Sequence, residues 1–354
     1  PSIIRHWRVA EPFLVFILHF MPQLSRLIPL TLLPLLFLFT GCGESSTDAP
    51  SGAGTKKGLT EVVLQTDWMP QPEHGGFYQA VAKGFYREEG LDVTLLPGGP
   101  NTMSVQKILR GRVDFAMNRA DAVYTFNQRD VPAIMVMATL QHDPQSVMLH
   151  ATNPIDSLPE LDGESVMAIP GLSWIQWVEA RYGIKLNIVP HDFGMERFLE
   201  DPSFIQQCLL TNEPFYIRKA GVEPKVLPLR ESGFDPYHGI YCLRSFAEEK
   251  PEIVRRFIRA SVRGWKDFIH NDPSPAFALI AERNSRMTPE FMAFSRGEMV
   301  ERRLVTGKKD GSDDTGQLDP ERLENLAKRL HELGIAKGDP AAAPEWYTTR
   351  FLPD

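Results

Sequence analysis

The chain has 354 residues, a formal net charge of −7, 43% hydrophobic residues and 23% charged residues. These values are typical of a globular protein, exclude a disordered or fibrous chain, and allow one or two compact domains after a targeting segment. Residues 1–41 contribute +2, so the remainder carries −9. Because its basic residues are scattered among more numerous acids, the chain lacks the clustered Lys and Arg that bind nucleic acid.

The first 41 residues have the pattern of a secretory signal peptide. Thirteen almost wholly apolar residues follow Met21 and one Arg, and small residues precede Cys42. Such a run is too short to span about 30 Å of hydrocarbon. We therefore predict a signal peptide over residues 1–41, with an uncleaved membrane anchor as the alternative. We interpret residues 1–20 as an over-extended gene start.

Cys42 and the residues before it resemble the lipobox of bacterial lipoproteins. Residues 43–57 are rich in Gly, Ser and Ala and show no periodicity, which is typical of a flexible tether. We therefore expect residues 42–58 to be a lipidated cysteine and a tether. Acyl chains on Cys42 would hold the protein on the periplasmic side of the membrane in the bacterial cell envelope.

Strand and helix patterns alternate after the tether, and this alternation predicts parallel sheets covered by helices. A break over residues 141–159 suggests a second lobe. We predict a first lobe that begins with residues 59–145, a second lobe over 146–240, and a return to the first lobe with C-terminal helices over 241–354. The predicted strands are 61–67, 91–96, 113–117, 166–169, 187–189 and 207–211, and the predicted helices are 77–89, 102–110, 174–182, 194–199, 252–270 and 320–333.

The other cysteines and the acidic loops carry no metal or redox motif. Cys208 and Cys242 lie in apolar surroundings, so we expect two buried free thiols rather than a disulfide. The polar segment 306–316 lacks the spacing of a calcium loop, and we interpret it as an exposed loop. We predict no metal and no cofactor.

Residues 65–99 (QTDWMPQPEHGGFYQAVAKGFYREEGLDVTLLPGG) closely resemble the first segment of the substrate-binding proteins of the thiamine-pyrimidine and nitrate/sulfonate/taurine group of ABC transporters. The resemblance continues through most of residues 60–270. It implies an α/β protein with the type II periplasmic binding fold, in which two α/β lobes joined by a hinge close over a small-molecule ligand. It also implies ABC permease and ATPase subunits as partners, and we expect a monomer.

Ligands of open α/β sheets bind beyond the carboxyl ends of the strands, so we expect the binding residues there. Trp68 would stack on a planar ligand, and Glu213 would accept a hydrogen bond from an amino group. Each also has a structural interpretation, as a core or rim aromatic and as a solvated acid. The Gly98-Gly99 pair is either an anion-binding nest or only a turn. The predicted ligand-binding residues are Asp67, Trp68, His74, Tyr78, Gly98, Gly99, Asn118, Gln141, Trp174 and Glu213.

This set is acidic and aromatic, and Arg119 is the one arginine at the inferred strand ends. It favours a planar, amino-bearing heterocycle, and the resemblance makes a thiamine pyrimidine precursor the first choice. A sulfonate, taurine or nitrate is the alternative.

The fungal thiamine-pyrimidine synthases share this resemblance and are the enzymatic alternative. They use a lysine and a histidine where this chain has Asn118 and Ala122, and a cysteine-rich run where it has only Cys242. No Gly-x-Ser-x-Gly, His-Glu-x-x-His or phosphate-loop motif is present. We therefore predict a binding protein and not an enzyme, with no catalytic residues.

Overall fold

The computed structural model describes residues 58–308, 310–337, 340 and 345–353. The predicted signal peptide, Cys42 and almost all of the tether lie outside these residues. Across the described ranges, no helix combines the length and the apolar character that crossing a membrane requires.

The strands are β1 Thr60–Gln65, β2 Leu91–Leu96, β3 Phe115–Arg119, β4 Ala133–Leu140, β5 Gln145–His150, β6 Ser165–Ala168, β7 Asn187–Pro190, β8 Ile205–Leu209, β9 Pro224–Pro228 and β10 His238–Leu243. The helices are α1 Gly75–Ala82, α2 Phe85–Glu88, α3 Ser104–Leu109, α4 Ala120–Asn127, α5 Ser173–Tyr182, α6 Glu196–Glu200, α7 Glu213–Lys219, α8 Arg244–Glu249, α9 Pro251–His270, α10 Ser274–Arg283, α11 Pro289–Glu301 and α12 Pro320–Glu332.

The strands form two five-stranded sheets, one in each of two lobes. The first sheet has the order β2-β1-β3-β10-β4, and we call it and the helices around it the first lobe. The second sheet has the order β7-β6-β8-β5-β9, and we call it and its helices the second lobe. The chain passes between the sheets twice, from β4 to β5 and from β9 to β10.

Both sheets are mixed rather than parallel, which corrects the expectation from strand–helix alternation. β10 runs antiparallel to β3 and β4, and β5 runs antiparallel to β8 and β9. β5 lies within the segment that we had interpreted as a break between lobes. Pairing with β10 also extends β3 to Arg119, because Asn118 and Arg119 find partners in Gly239 and His238. No local sequence pattern predicts the pairing of β5 or of β10, because their partner strands are far away in sequence.

The helix predicted over residues 77–89 is split in two. Gly84 adopts a left-handed conformation (φ 77°), which ends α1 and lets α2 start in a new direction. α1 packs closely on the amphipathic α9, where a Cβ at Gly264 would collide with the carbonyl oxygen of Gly76. This contact fixes the segment between β1 and α1, which carries several candidate site residues.

The two crossing segments are tied to each other and to α12. His142 Nδ1 lies 2.7 Å from Asp235 Oδ2, and the backbone N–H of Asp143 donates to Asp235 Oδ1 at 2.8 Å. Arg322 donates to the carbonyl oxygen of Asp235 at 2.6 Å. Rotation of one lobe against the other would therefore bend the two crossing segments, which are joined to each other and to α12 through Asp235.

Candidate functional site

A cleft of about 560 Å³ lies between the two sheets. The parallel strands β1 and β3 end at the same edge of the first sheet, so the residues that follow them face this space. The second lobe contributes residues 191–195 and 207–213, and residues 284–287 contribute from the C-terminal part of the chain. The cleft is thus bordered by segments from three separate parts of the sequence.

A chain of alternating charges forms the first-lobe side of the cleft. Asp67 Oδ1 lies 2.8 Å from His74 Nε2, and Asp67 Oδ2 lies 3.9 Å from His238 Nδ1. The other ring nitrogen of His238, Nε2, is 3.4 Å from Asp143 Oδ1. Arg119 Nε lies 4.0 Å from Asp143 Oδ2. Each charged group in this series has an opposite charge beside it.

The pKa values follow from this arrangement. Burial raises the pKa of Asp67, but the hydrogen bond and charge of His74, with the charge of His238, lower it to about 2. Burial also opposes the charged form of Asp143, yet His238 and Arg119 lower its pKa. Burial lowers the pKa of His238, and Asp143 and Asp67 raise it by more. Asp67 is therefore ionised at neutral pH, and both of its oxygens face histidines.

Two further acids lie where the lobes meet. Glu73, in the 3-10 turn Pro72–His74, is 5% exposed, and its Oε1 accepts a hydrogen bond from the hydroxyl of Thr211 in the second lobe. Glu213 is the first residue of α7, and its Oε2 accepts from the backbone N–H of Leu209 at 2.8 Å. Burial, with the nearby charge of Glu73, raises the pKa of Glu213 to about 7. Burial also raises the pKa of Glu73.

Aromatic rings from both lobes meet in the cleft. The rings of Trp68 in the first lobe and Phe193 in the second have centroids 5.3 Å apart and planes inclined by 40°. The imidazole ring of His191 stacks on the ring of Phe193, with the two centroids 5.0 Å apart. Phe193 is 48% exposed and has a positive φ of 63°, which is uncommon for a bulky residue. The ring of Phe193 thus contacts Trp68 of the first lobe and is not buried in the second lobe.

The structure brings Asp67, Trp68, His74 and Glu213 of the predicted set into the cleft lining. Gly98, Gly99 and Asn118 are not among the lining residues, and two of them support it. Gly98 donates its N–H to the carbonyl oxygen of Trp68 at 2.9 Å, and a Cβ there would collide with the carbonyl oxygen of Thr66. Asn118 Oδ1 accepts from the backbone N–H of Arg119 at 2.9 Å.

The remaining predicted residues lie outside the cleft lining. Gln141 donates to the carbonyl oxygens of Asp314 and Gln317 at 2.8 and 2.9 Å, so it holds the C-terminal segment. Tyr78 is buried in the first-lobe core. Trp174 is also fully buried, in an apolar cluster to which residues of both lobes contribute. Tyr78 and Trp174 thus pack in apolar cores, whereas Gln141 bonds the C-terminal segment.

The prediction from sequence omitted Glu73, His238, Asp143, Phe193 and Arg286, all of which line the cleft or contact its lining residues. Glu73 had a local signal, because it precedes His74 in the same turn. His238 and Arg286 had none, since they reach the cleft from segments far from β1 in sequence. Among the described residues, no group of three or more His, Cys, Asp or Glu is arranged to hold a metal ion.

A family model described as NMT1/THI5 like matches residues 71–276. The chain belongs to this family. It is 27% identical over 263 residues to the riboflavin-binding protein RibY of Chloroflexus aurantiacus, covering 69% of this chain and 74% of that protein. It is 23% identical over 267 residues to the formylaminopyrimidine-binding protein of Halalkalibacterium halodurans, covering 72% and 79%. The predicted family resemblance is therefore confirmed.

Solved structures agree on the fold of this NMT1/THI5-like chain. The periplasmic aliphatic sulphonate-binding protein SsuA of Escherichia coli superimposes with a TM-score of 0.60 at 11% identity, covering 80% of this chain and 90% of that one. The periplasmic nitrate-binding protein NrtA of Synechocystis PCC 6803 gives 0.58 at 12% identity, covering 83% and 87%. These matches confirm the predicted α/β fold of a periplasmic binding protein.

An enzyme is also among the relatives. The chain is 24% identical over 251 residues to the 4-amino-5-hydroxymethyl-2-methylpyrimidine phosphate synthase THI11 of Saccharomyces cerevisiae, covering 60% of this chain and 72% of that protein. This NMT1/THI5-like chain is thus similar both to proteins named for binding a solute and to one named for synthesis.

Proposed function

We propose that this chain is the extracytoplasmic solute-binding component of an ABC importer and captures a planar, amino-bearing heterocycle. The observation that carries the proposal is the pair of Trp68 and Phe193, one ring from each lobe, in the same cleft as the carboxyl group of Glu213. A flat ring system gains dispersion and electrostatic energy when it stacks on an aromatic ring such as these. Glu213 would accept a hydrogen bond from an amino group at the edge of that ring system.

The size of the cleft suits such ligands. A single-ring aminopyrimidine takes the space of roughly five or six water molecules, about 150–180 Å³. The cleft of about 560 Å³ therefore admits a pyrimidine with its substituents and also a fused-ring system. The names of the two relatives, one riboflavin-binding and one formylaminopyrimidine-binding, support both sizes. A thiamine pyrimidine precursor remains our first choice within this class.

A sulfonate or nitrate is the second candidate, because the cleft contains Arg119 and Arg286. Arg119 is already engaged, since its Nε donates to Asp121 at 3.3 Å and lies near Asp143. The acids at the lobe junction would also repel an anion. These contacts favour the heterocycle.

We propose binding without catalysis, because Asn118 and Ala122 occupy the positions aligned with the lysine and histidine of the synthases. A ligand that contacts both lobes would shift the hinge equilibrium toward the closed form, which the permease would recognise. Lipidation of Cys42 would keep the protein at the membrane where that permease resides.

Titration of the purified protein with candidate ligands tests this proposal. We expect 4-amino-5-hydroxymethyl-2-methylpyrimidine or formylaminopyrimidine to raise the melting temperature, since a ligand at a hundredfold excess over its Kd stabilises the folded state by about 2.7 kcal/mol. Riboflavin, a planar heterocycle with a ring N–H but no amino group, tests whether the amino group is required. Taurine, an alkanesulfonate and nitrate are the comparison set. Stabilisation by an anion alone would refute the proposed ligand class, and stabilisation by none of these compounds would refute the binding function.

The affinity for an uncharged amino-bearing ligand should rise with pH. The pKa of Glu213 is raised to about 7, so its carboxylate, the form that accepts from an amino group, is the minor form at pH 6 and the major form at pH 8. We expect about tenfold tighter binding at pH 8 than at pH 6, measured by isothermal titration calorimetry. Glu213→Gln should abolish this dependence. Equal pH dependence in wild type and variant would assign the titration to another group.

A further inference from the structure

The side chain of Glu73 occupies an unusual position at the junction of the lobes. It belongs to the first lobe, yet its Oε1 accepts a hydrogen bond from the hydroxyl of Thr211, which follows β8 in the second lobe. Glu73 lines the ligand cleft although only 5% of its surface is exposed. It is therefore a buried acid that contacts both lobes and the cleft at once.

The second carboxyl oxygen of Glu73, Oε2, is buried and has no hydrogen-bond partner within the described part of the chain. A buried polar atom without a partner destabilises the folded state, and such atoms are rare in native proteins unless water or a ligand satisfies them. The nearest ionisable groups supply no donor to this atom. The charge of Asp67 raises the pKa of Glu73, and the charge of Glu73 raises the pKa of Glu213. His74 directs its Nε2 to Asp67 rather than to Glu73.

We propose that Glu73 is a specificity-determining residue of the cleft, whose Oε2 accepts a hydrogen bond from an N–H group of the bound heterocycle. Its Oε1 keeps the bond to Thr211, so the same carboxyl group recognises the ligand and joins the lobes. This inference rests on the proposed function. It narrows the ligand class to heterocycles with an N–H donor on the edge that enters the lobe junction.

The proposal separates the roles of the acids in the cleft. Asp67 is occupied by His74 and faces His238, so it orders the first-lobe side of the cleft rather than reading the ligand. Glu213 uses one oxygen to cap the N–H of Leu209 within the second lobe. Glu73 alone, among the cleft acids of the described region, combines a bond across the lobes with an unpartnered oxygen.

A pair of ligands that differ by one N–H tests the assignment. The probes are riboflavin with 3-methylriboflavin, and 4-amino-5-hydroxymethyl-2-methylpyrimidine with its 4-dimethylamino analogue. We expect wild-type protein to bind the N–H member of at least one pair about tenfold or more tightly than the methylated member. In Glu73→Gln this preference should fall at least threefold, because the carbonyl oxygen of the amide keeps the bond from Thr211 and its NH2 group, which only donates, takes the place of Oε2.

Thr211→Val is the matched control. It removes the bond between the lobes but leaves the carboxyl group of Glu73 unchanged, so it should weaken both members of a pair by a similar factor and keep the preference between them. Thermal unfolding of each variant without ligand shows whether it is folded. A purely structural role of Glu73 would instead make Glu73→Gln weaken both ligands equally.

The outcomes distinguish the two proposals. If wild-type protein binds neither pair, the proposed ligand class fails. If it binds them but shows no preference for the N–H member, or if Glu73→Gln retains the full preference, the role of Glu73 fails while the proposed function stands. Loss of the preference in Glu73→Gln together with its retention in Thr211→Val supports the assignment.

Discussion

Replacing Trp174 with alanine is expected to lower the free energy of unfolding by about 3–5 kcal/mol, the loss typical of removing a buried tryptophan. Trp174 is completely buried in the apolar cluster that includes Val166 and Val178. Its removal takes a large apolar surface out of the core and leaves a cavity that the surrounding side chains fill only in part. Chemical denaturation followed by circular dichroism measures the change.

Trp174→Phe is the control for this variant. The indole Nε1 of Trp174 is buried without an acceptor among the described residues, so phenylalanine removes an unsatisfied donor while it fills most of the volume. We expect a loss below about 2 kcal/mol and an unchanged ligand affinity. If Trp174→Phe binds the ligand more weakly under conditions where it is fully folded, Trp174 contacts the ligand.

Replacing Trp68 with alanine should have the opposite pattern, with a large effect on binding and a small one on stability. Trp68 is partly exposed at the cleft and has the ring of Phe193 at 5.3 Å. The loss of its apolar surface and of its stacking on a planar ligand is expected to remove about 2–3 kcal/mol of binding energy, which is roughly a hundredfold increase in Kd. Titration calorimetry with the ligand that stabilises the wild-type protein measures this.

Trp68→Phe keeps an aromatic face and should bind within about tenfold of wild type. The free energy of unfolding of Trp68→Ala without ligand should change by less than about 1 kcal/mol, since the side chain is not part of either core. Wild-type affinity in Trp68→Ala would show that the ligand does not stack at this position and would remove the main support for a planar ligand.

Local patterns determined most of the helices and strands. The apolar alternation of β2 and the amphipathic period of α9 appear in the residues themselves, and the observed bounds of β2 match the predicted ones, Leu91–Leu96. The motif after β1, which carries Asp67, Trp68 and His74, also indicated part of the cleft, because side chains that follow a strand of an open sheet face its ligand.

Pairing between distant segments was beyond the reach of these patterns. β10 begins at His238, more than 100 residues after Arg119, where its antiparallel partner β3 ends. The pairing of β10 with β3 places His238 opposite Arg119, and this brings together the alternating charges of the cleft. The pKa of Asp67, lowered to about 2, depends on that assembly.

The sequence by itself therefore determined the fold class, the family resemblance and the residues that follow β1. The tertiary structure decided which side chains face the cleft. Trp174 and Tyr78 stand at positions that resemble cleft positions in sequence but turn into the cores, whereas Glu73 and Phe193 face the cleft. The physical reason is that local periodicity indicates only whether a side chain is buried. Contacts between segments remote in sequence decide whether a core or the opposite lobe buries it.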